Sequence, residues 1–434
     1  MEPWLATIVL FGLLLVGIAI GLHIAFVLTG LGILFTLLLW GPQGLLMIVS
    51  TAYGKGTDFI LVALPLFLLM GYFLEVSGVA DELYEMMNRW VGHIPGGLAS
   101  GTIVVGAIFA AMAGISGAAI VSMGLVALPS MVKRNYDKRL TLGTICAGGA
   151  LGILIPPSIV VIIYCSLTGE SVTQLYSACL IPGILLTIMH IIYISVRSFL
   201  QPHLAPATKV RYTWREKFES LKAVIIPIII IMLVLGTMYL GICTPTEAAG
   251  IGTLGVVISC VIRRKLTWEN VKKASRGTFL VSAMVLWIIF GSFCFGRAYS
   301  IAGASDLITG LVVGLNIPPM SLIWAMMFIL FILGMFMGTA EICVLTTPIF
   351  LPIIHSLGFD PVWYGVLFVI NAEMGLLSPP FGMTLFWLKG VAPPDISMGD
   401  IYSSVWPFIA VQAACLLLVM YFPAIAMWFP SVLS

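Results

Sequence analysis

Charge is scarce in this chain: 20 Lys and Arg and 18 Asp and Glu make up 9% of 434 residues, while 61% of the residues are hydrophobic. That scarcity excludes a soluble fold, because no soluble packing could hide so much apolar surface. A net charge of +2 creates no strong field, and no nucleic-acid partner is expected. CxxC and Cys/His ligand spacings are missing. The eight cysteines, among them Cys146, Cys165, Cys179 and Cys243, lie in apolar runs and read as small packing residues. Neither a transition-metal site nor a disulfide framework is expected, and no cofactor is foreseen. His23, His93, His190, His203 and His355 form no ligand pattern, and no nucleophile stands beside a base, so the chain is not read as an enzyme. A GxxxxGK[ST] loop is absent, which excludes ATP hydrolysis by the chain itself and leaves an ion gradient or a separate partner as energy source. The opening "MEPWLATIVL" lacks the basic n-region and cleavage site of a secretory signal, so the first apolar stretch is expected to be a retained span.

Long apolar runs are what the sequence has instead, with a mean hydropathy of +1.14. Many exceed the roughly 20 residues needed to cross a bilayer core of about 30 Å, which makes the chain an all-α polytopic membrane protein. Residues 4–40 are too long for one span and are interrupted by Gly17, Gly21 and His23, so two helices are expected there. Apolar segments follow at 59–78, 97–131, 141–168 and 173–196. A polar stretch with an amphipathic look occupies 197–222 and reads as a cytoplasmic linker. The series resumes at 223–241, 245–262, 277–300, 321–354, 362–388 and 403–429.

The second series resembles the first. At an offset of about 220 to 225 residues, Gly17-Ile18 meets Gly241-Ile242, "MGYFLEVSGVAD" (70–81) meets "FGRAYSIAGASD" (295–306), and "HIPGG" (93–97) meets "NIPPM" (316–320). "GISGAA" (114–119) meets "MFMGTA" (335–340), and "GILIPP" (152–157) meets "GLLSPP" (375–380). The repeats are therefore taken as 1–196 and 223–434. Their loops differ in charge. The loop at 41–57 holds one basic residue, Lys55, whereas its mate holds Arg263, Arg264, Lys265, Lys272, Lys273 and Arg276. The segment 132–139 holds Lys133, Arg134, Lys138 and Arg139, and its mate at 355–362 holds no Lys or Arg. Because Lys and Arg favour the cytoplasmic side, the halves are expected to be oppositely oriented, an inverted-topology repeat of the kind found in secondary transporters. The same signs make 97–131 enter and leave on one side, as either a re-entrant hairpin or two full crossings. The small residues at 113–119 favour the hairpin, and a second is expected at 321–354, turning near "GTAE" (338–341).

Both Pro-Pro pairs fall inside apolar segments, at 141–168 and 362–388. A proline frees a backbone carbonyl one turn earlier, and a Pro-Pro pair near Gly predicts an unwound break in each helix. Freed carbonyls and hydroxyls suit Na⁺, and exposed helix N-termini suit anions. Each break, set against a hairpin tip carrying Ser116 or Thr339, would make a midplane site; the alternative is a pair of packing kinks. Glu247, Glu341 and Glu373 lie in apolar context, either binding cations and relaying protons or capping a broken helix and bonding a neighbour. Arg297 would neutralise an anionic substrate, or else pair with an acid or snorkel.

"GICTPTEAAGIG" (241–252), "GILIPPS" (152–158) and "YGVLFVINAEMGLLSPPFGMTLFWLKGV" (364–391) resemble the large membrane subunit of tripartite ATP-independent periplasmic (TRAP) transporters. The resemblance runs through essentially the whole chain; one departure is Ala19, where many members have Pro. It implies an elevator, in which a transport domain holding both hairpins and both broken helices moves against a scaffold domain. It also implies Na⁺ coupling in a bacterial inner membrane. The partners implied are a small membrane subunit of about four helices, expected as a separate polypeptide, and a periplasmic binding protein delivering a small organic acid, with C4-dicarboxylate as default. Carried to matching positions, the sodium sites would be Ile115, Ser116 and Gly117 with Gly149, Gly152 and Ile155, and Gly338 and Thr339 with Gly375, Ser378 and Pro380. The substrate would lie between the tips, near Ser116, Thr339 and Arg297. A stand-alone anion symporter of the same architecture and a permease of an ATP-driven complex are the competing readings.

Overall fold

The computed structural model describes residues 2–208, 210–314 and 317–433, so Asn316 of one repeat match lies outside the described residues. Every regular element among the described residues is helical. Among the described residues eight helices are long and apolar enough to cross a membrane, and the chain is a multi-pass membrane protein.

Elements of the two halves follow the same order. Pro3–Ala19, Ile24–Trp40, a stretch ending in Ala63–Val76, and the short amphipathic Val79–Val91 lead into the pair Gly97–Ala113 and Ser116–Lys133. After residue 221 come Lys222–Ile231 with a π turn at Met232–Gly236, then Pro245–Ile262, Trp268–Ile301, Ala304–Gly314, and the pair Pro319–Gly334 and Thr339–Ser356. Each pair is followed by a helix in two pieces. Lys138–Ala150 and Ile159–Thr168 flank a break at 151–158, while Pro361–Leu377 and Met383–Val391 flank one at 378–382. One long helix closes each series, Val172–Leu200 and Met398–Tyr421.

Local chemistry sets these boundaries. Asp137 accepts from the Leu140 N–H and Asp360 from Val362 and Trp363, so the broken helices start at 138 and 361, close to the expected 141 and 362. The expected span at 59–78 stops at Val76 because Gly78 takes a left-handed φ of +78° and starts the amphipathic helix anew. The segment at 197–222 departs from a simple linker. Val172–Leu200 continues into it, Thr213 and Glu216 form a capping box for Trp214–Ser220, and the Gly96 and Asp137 N–H groups donate to Ala205 and Leu204 carbonyls. These backbone bonds hold it against the base of the first helix pair.

The halves share one core. Ile24–Trp40 lies along Trp268–Ile301 so closely that a Cβ on Gly32 would stand 2.5 Å from the Cys294 carbonyl carbon. Such small-residue crossings let membrane helices gain packing that apolar lipid alone would not drive. Pro245–Ile262 packs on Ala63–Val76, with Thr253 Oγ1 donating to the Leu66 carbonyl at 2.9 Å. The broken helices run antiparallel. Tyr164 near the end of the first donates to the Pro361 carbonyl at the start of the second, at 2.8 Å. At the other pole Lys138 Nζ reaches the Asp395 carbonyl and the Asp400 carboxylate, each at 3.0 Å.

Candidate functional site

The first helix pair turns in two residues. Gly114 has φ +64°, and its Cβ position is 2.7 Å from the Pro157 carbonyl oxygen, so only glycine fits the turn against the break. Ser116 opens the next helix and its Oγ donates to the Ala150 carbonyl at 3.3 Å. A Cβ on Gly152 would lie 3.2 Å from the Ile115 carbonyl carbon and the Ser116 nitrogen, and one on Gly149 would lie 2.2 Å from the Ile120 side chain. Ile115, Ser116, Gly149 and Gly152 thus come together. Ile155 turns its side chain to Gly183 of the long helix, and Gly117 lies 3.3 Å, measured from its Cβ position, from the Trp387 ring of the second broken helix.

At the second turn, Gly334 and Gly375 meet backbone to backbone, a Cβ on Gly375 falling 2.7 Å from the Gly334 Cα. The Phe381 N–H donates to the Met335 carbonyl at 3.1 Å, tying turn to break. Ser378 Oγ donates to the Met374 carbonyl at 2.8 Å, and the Pro380 carbonyl accepts from Tyr402 Oη at 2.8 Å, which leaves that oxygen one further lone pair. Both breaks contain a cis Pro-Pro bond, Pro156-Pro157 and Pro379-Pro380.

Both turns face one cavity of about 390 Å³. Gly114, Ile115, Ser116 and Gly117 line it from one side and Gly338, Thr339, Ala340 and Glu341 from the other. Its volume is in the lower part of the range for small-molecule sites. Two helices begin at its wall, at Ser116 and Thr339, and their first N–H groups have no intrahelical acceptor, so partial positive charge converges there. Leu68, Tyr72 and Glu75 of one flanking helix and Val281, Met284 and Val285 of another add to the wall, as do Trp387, Ile153 of the first break and Ile159 just after it. Gly149, Gly152, Gly375, Ser378 and Pro380 are absent from the lining and stand behind the tips or at the break.

Arg297 departs from its expected place. It is exposed and sits twelve residues beyond Val285 on the same helix, about 18 Å along the axis. The charged groups in the lining are Glu75 and Glu341. Glu75 pairs with Lys273 at 2.9 Å. Glu373 is fully buried off the cavity and accepts from Gln412 Nε2 at 3.0 Å, while Glu247 closes a capping box with Thr244, so both take the structural option for a membrane acid. Sequence reasoning missed Tyr72, Glu75 and Trp387 as lining. Tyr72 and Glu75 stood in "MGYFLEVSGVAD" only as repeat landmarks, and nothing local marks a residue as facing a turn 40 positions away.

A family model described as "Tripartite ATP-independent periplasmic transporter, DctM component" matches residues 11–425. The chain belongs to this family. It is a transport component, not an enzyme, and the family works with a substrate-binding protein and a small membrane subunit. The C4-dicarboxylate TRAP transporter large permease protein DctM of Pseudomonas aeruginosa is 32% identical over 405 residues, 93% of each chain. The isethionate TRAP transporter permease protein DctMQ of Oleidesulfovibrio alaskensis is 31% identical over 424 residues, 97% of this chain and 66% of that one. Among solved structures, the Alcanivorax borkumensis YdaH transporter superposes with a TM-score of 0.66 at 16% identity, over 96% of this chain and 97% of that chain, which shows a shared fold.

Proposed function

We propose that the chain is the large subunit of a Na⁺-coupled secondary importer that takes a small organic acid from a periplasmic binding protein across a bacterial inner membrane. The observation that carries this is the convergence of both turns, with the two breaks behind them, on one cavity. Oxygen ligands for Na⁺ are at hand where each tip meets a break. They are Ser116 and the backbone of Ile115, Gly117, Gly149, Gly152 and Ile155 on one side, and Thr339, Ser378 and the backbone of Gly338, Gly375 and Pro380 on the other. The substrate carboxylate lies between the tips, taken by the Thr339 hydroxyl and by the backbone N–H groups at the Ser116 helix N-terminus.

In this reading the two helix pairs are re-entrant hairpins and the repeats are inverted across the bilayer, which the antiparallel run of the broken helices supports. Hairpins and broken helices form the moving part of an elevator, and Ile24–Trp40, Ala63–Val76, Pro245–Ile262 and Trp268–Ile301 the scaffold. The segment at 201–222 is cytoplasmic. Glu75 pairs with Lys273 of the basic segment 263–276, so in this reading the Glu75 end of the cavity is its cytoplasmic end. The small subunit, of about four helices, completes the membrane complex. Its relatives' names differ in substrate, C4-dicarboxylate for one and isethionate for another, so the acid itself is left to the binding protein and the cavity.

Reconstitution tests the reading. Uptake is expected to need the Na⁺ gradient, the small subunit and the binding protein. Ser116→Ala and Thr339→Ala should each raise the Na⁺ concentration for half-activation about two- to tenfold, the worth of one hydrogen-bonding ligand. Unchanged Na⁺ curves in both variants would refute the ion sites, and uptake by this chain alone would refute the tripartite requirement.

A further inference from the structure

The two acids of the cavity wall are not equivalent. Glu75 has a cationic partner in Lys273. Glu341 lines the cavity from the first turn of its helix, half-buried, and forms no ion pair or hydrogen bond within the described residues. Its carboxylate lies over Gly338 at the start of its own helix, where a Cβ would come within 2.2 Å of Oε2, and it closes no hydrogen bond there. No Lys, Arg or His lines the cavity. Two aromatic rings line the same cavity, Tyr72 and Trp387, and aromatic rings together with a carboxylate in one cavity suit an organic cation.

We propose that Glu341 is a specificity-determining residue that makes this cavity a receptor for zwitterions: small solutes with one carboxylate and one cationic nitrogen. The inference rests on the reading of the cavity as the substrate site. The carboxylate is taken by the Ser116 helix N-terminus, and the cation faces Glu341 at the opposite tip and the rings of Tyr72 and Trp387. A plain dicarboxylate would set its second negative charge against Glu341 with no base in the wall to offset it. A zwitterion brings its own counter-charge.

The test uses the full chain with its small subunit in nanodiscs, without the binding protein, so that only the membrane site selects. Ligand protection against thermal unfolding is measured for matched pairs of equal chain length, such as 4-aminobutyrate against succinate and 3-aminopropanoate against malonate, at fixed and at varied Na⁺. The wild type should bind the zwitterion of a pair more tightly. Glu341→Gln, which keeps shape, should weaken zwitterion binding by about tenfold or more and narrow or reverse the preference. Glu341→Asp, which keeps the charge, should retain the preference in part. Absence of binding by every zwitterion, whatever the dicarboxylates do, overturns the proposal. So does an unchanged zwitterion-to-dicarboxylate ratio in Glu341→Gln, including the case where that variant shifts only the Na⁺ dependence, which would make Glu341 an ion ligand instead. Na⁺-independent uptake with the preference intact would refute the coupling proposed above and leave this inference standing.

Discussion

The two hairpin tips hold corresponding places in the two halves, and they are built to different standards of enclosure. The first turn has two residues, Gly114 and Ile115, and faces a break, 151–158, in which every residue is buried. The second spans 335–338 and faces a shorter break in which Pro380 is exposed and Phe381 is 57% exposed. Ser116 is 4% exposed and already hydrogen-bonded to Ala150, whereas Thr339 is half-buried beside an unpaired acid. The matched Gly and Pro-Pro residues set where the chain turns and unwinds; the residues around them decide how far each tip is open. The first half thus supplies the closed tip, and the second the more open one, with the unpaired acid.

Orientation is the sharpest way to break this comparison, because the outcome is all or none. Lys133→Cys, at the end of the first hairpin, should react with an impermeant thiol reagent only from the cytoplasm, and Ser356→Cys, at the end of the second, only from outside. The native cysteines interfere little, since all are buried except the half-buried Cys243. Labelling of both from one side would refute opposed halves.

Rigidity is expected to differ next. Gly114→Ala puts a Cβ in a left-handed turn, 2.7 Å from a backbone oxygen that cannot retreat, and should destabilise the purified protein by about 1–3 kcal/mol, read as a lowered melting temperature. Gly338→Ala meets only the end of the flexible Glu341 side chain, at an ordinary φ of −72°, and should remain within about 1 kcal/mol of wild type. Equal losses would mean the two tips are alike in packing after all.

The smallest effect is expected where the first broken helix meets the long helix that closes the second half. Lys138 and Asp400 are 40% and 34% exposed, so Lys138→Ala should lower stability by no more than about 1 kcal/mol, less in high salt. A larger loss, or one insensitive to salt, would show that this contact and not the buried packing joins the halves.

Much of the fold was legible in the chain because its signals are local. Gly152 and the pair Pro156-Pro157 interrupt a helix wherever it packs, and Asp137 and Asp360 cap the next helix within three residues. Glu247, by contrast, could not be sorted from Glu341 in the sequence, although Thr244 three residues before it was a capping-box signal. In the linker, the density of charge hides the capping box at Thr213 and the continuation of the preceding helix to Leu200.

By itself, then, the sequence determined that this chain lives in a membrane and where it turns and breaks. These depend on hydropathy, loop charge and backbone stereochemistry over a few neighbouring residues. Only the tertiary structure decided which side chains share the cavity. Tyr72, Glu75 and Trp387 enter it, Arg297 is left about 18 Å along its helix, and of the two acids in the wall one is paired and one is not. Such proximity joins residues scores to hundreds of positions apart, and it follows from how the helices pack rather than from any pattern along the chain.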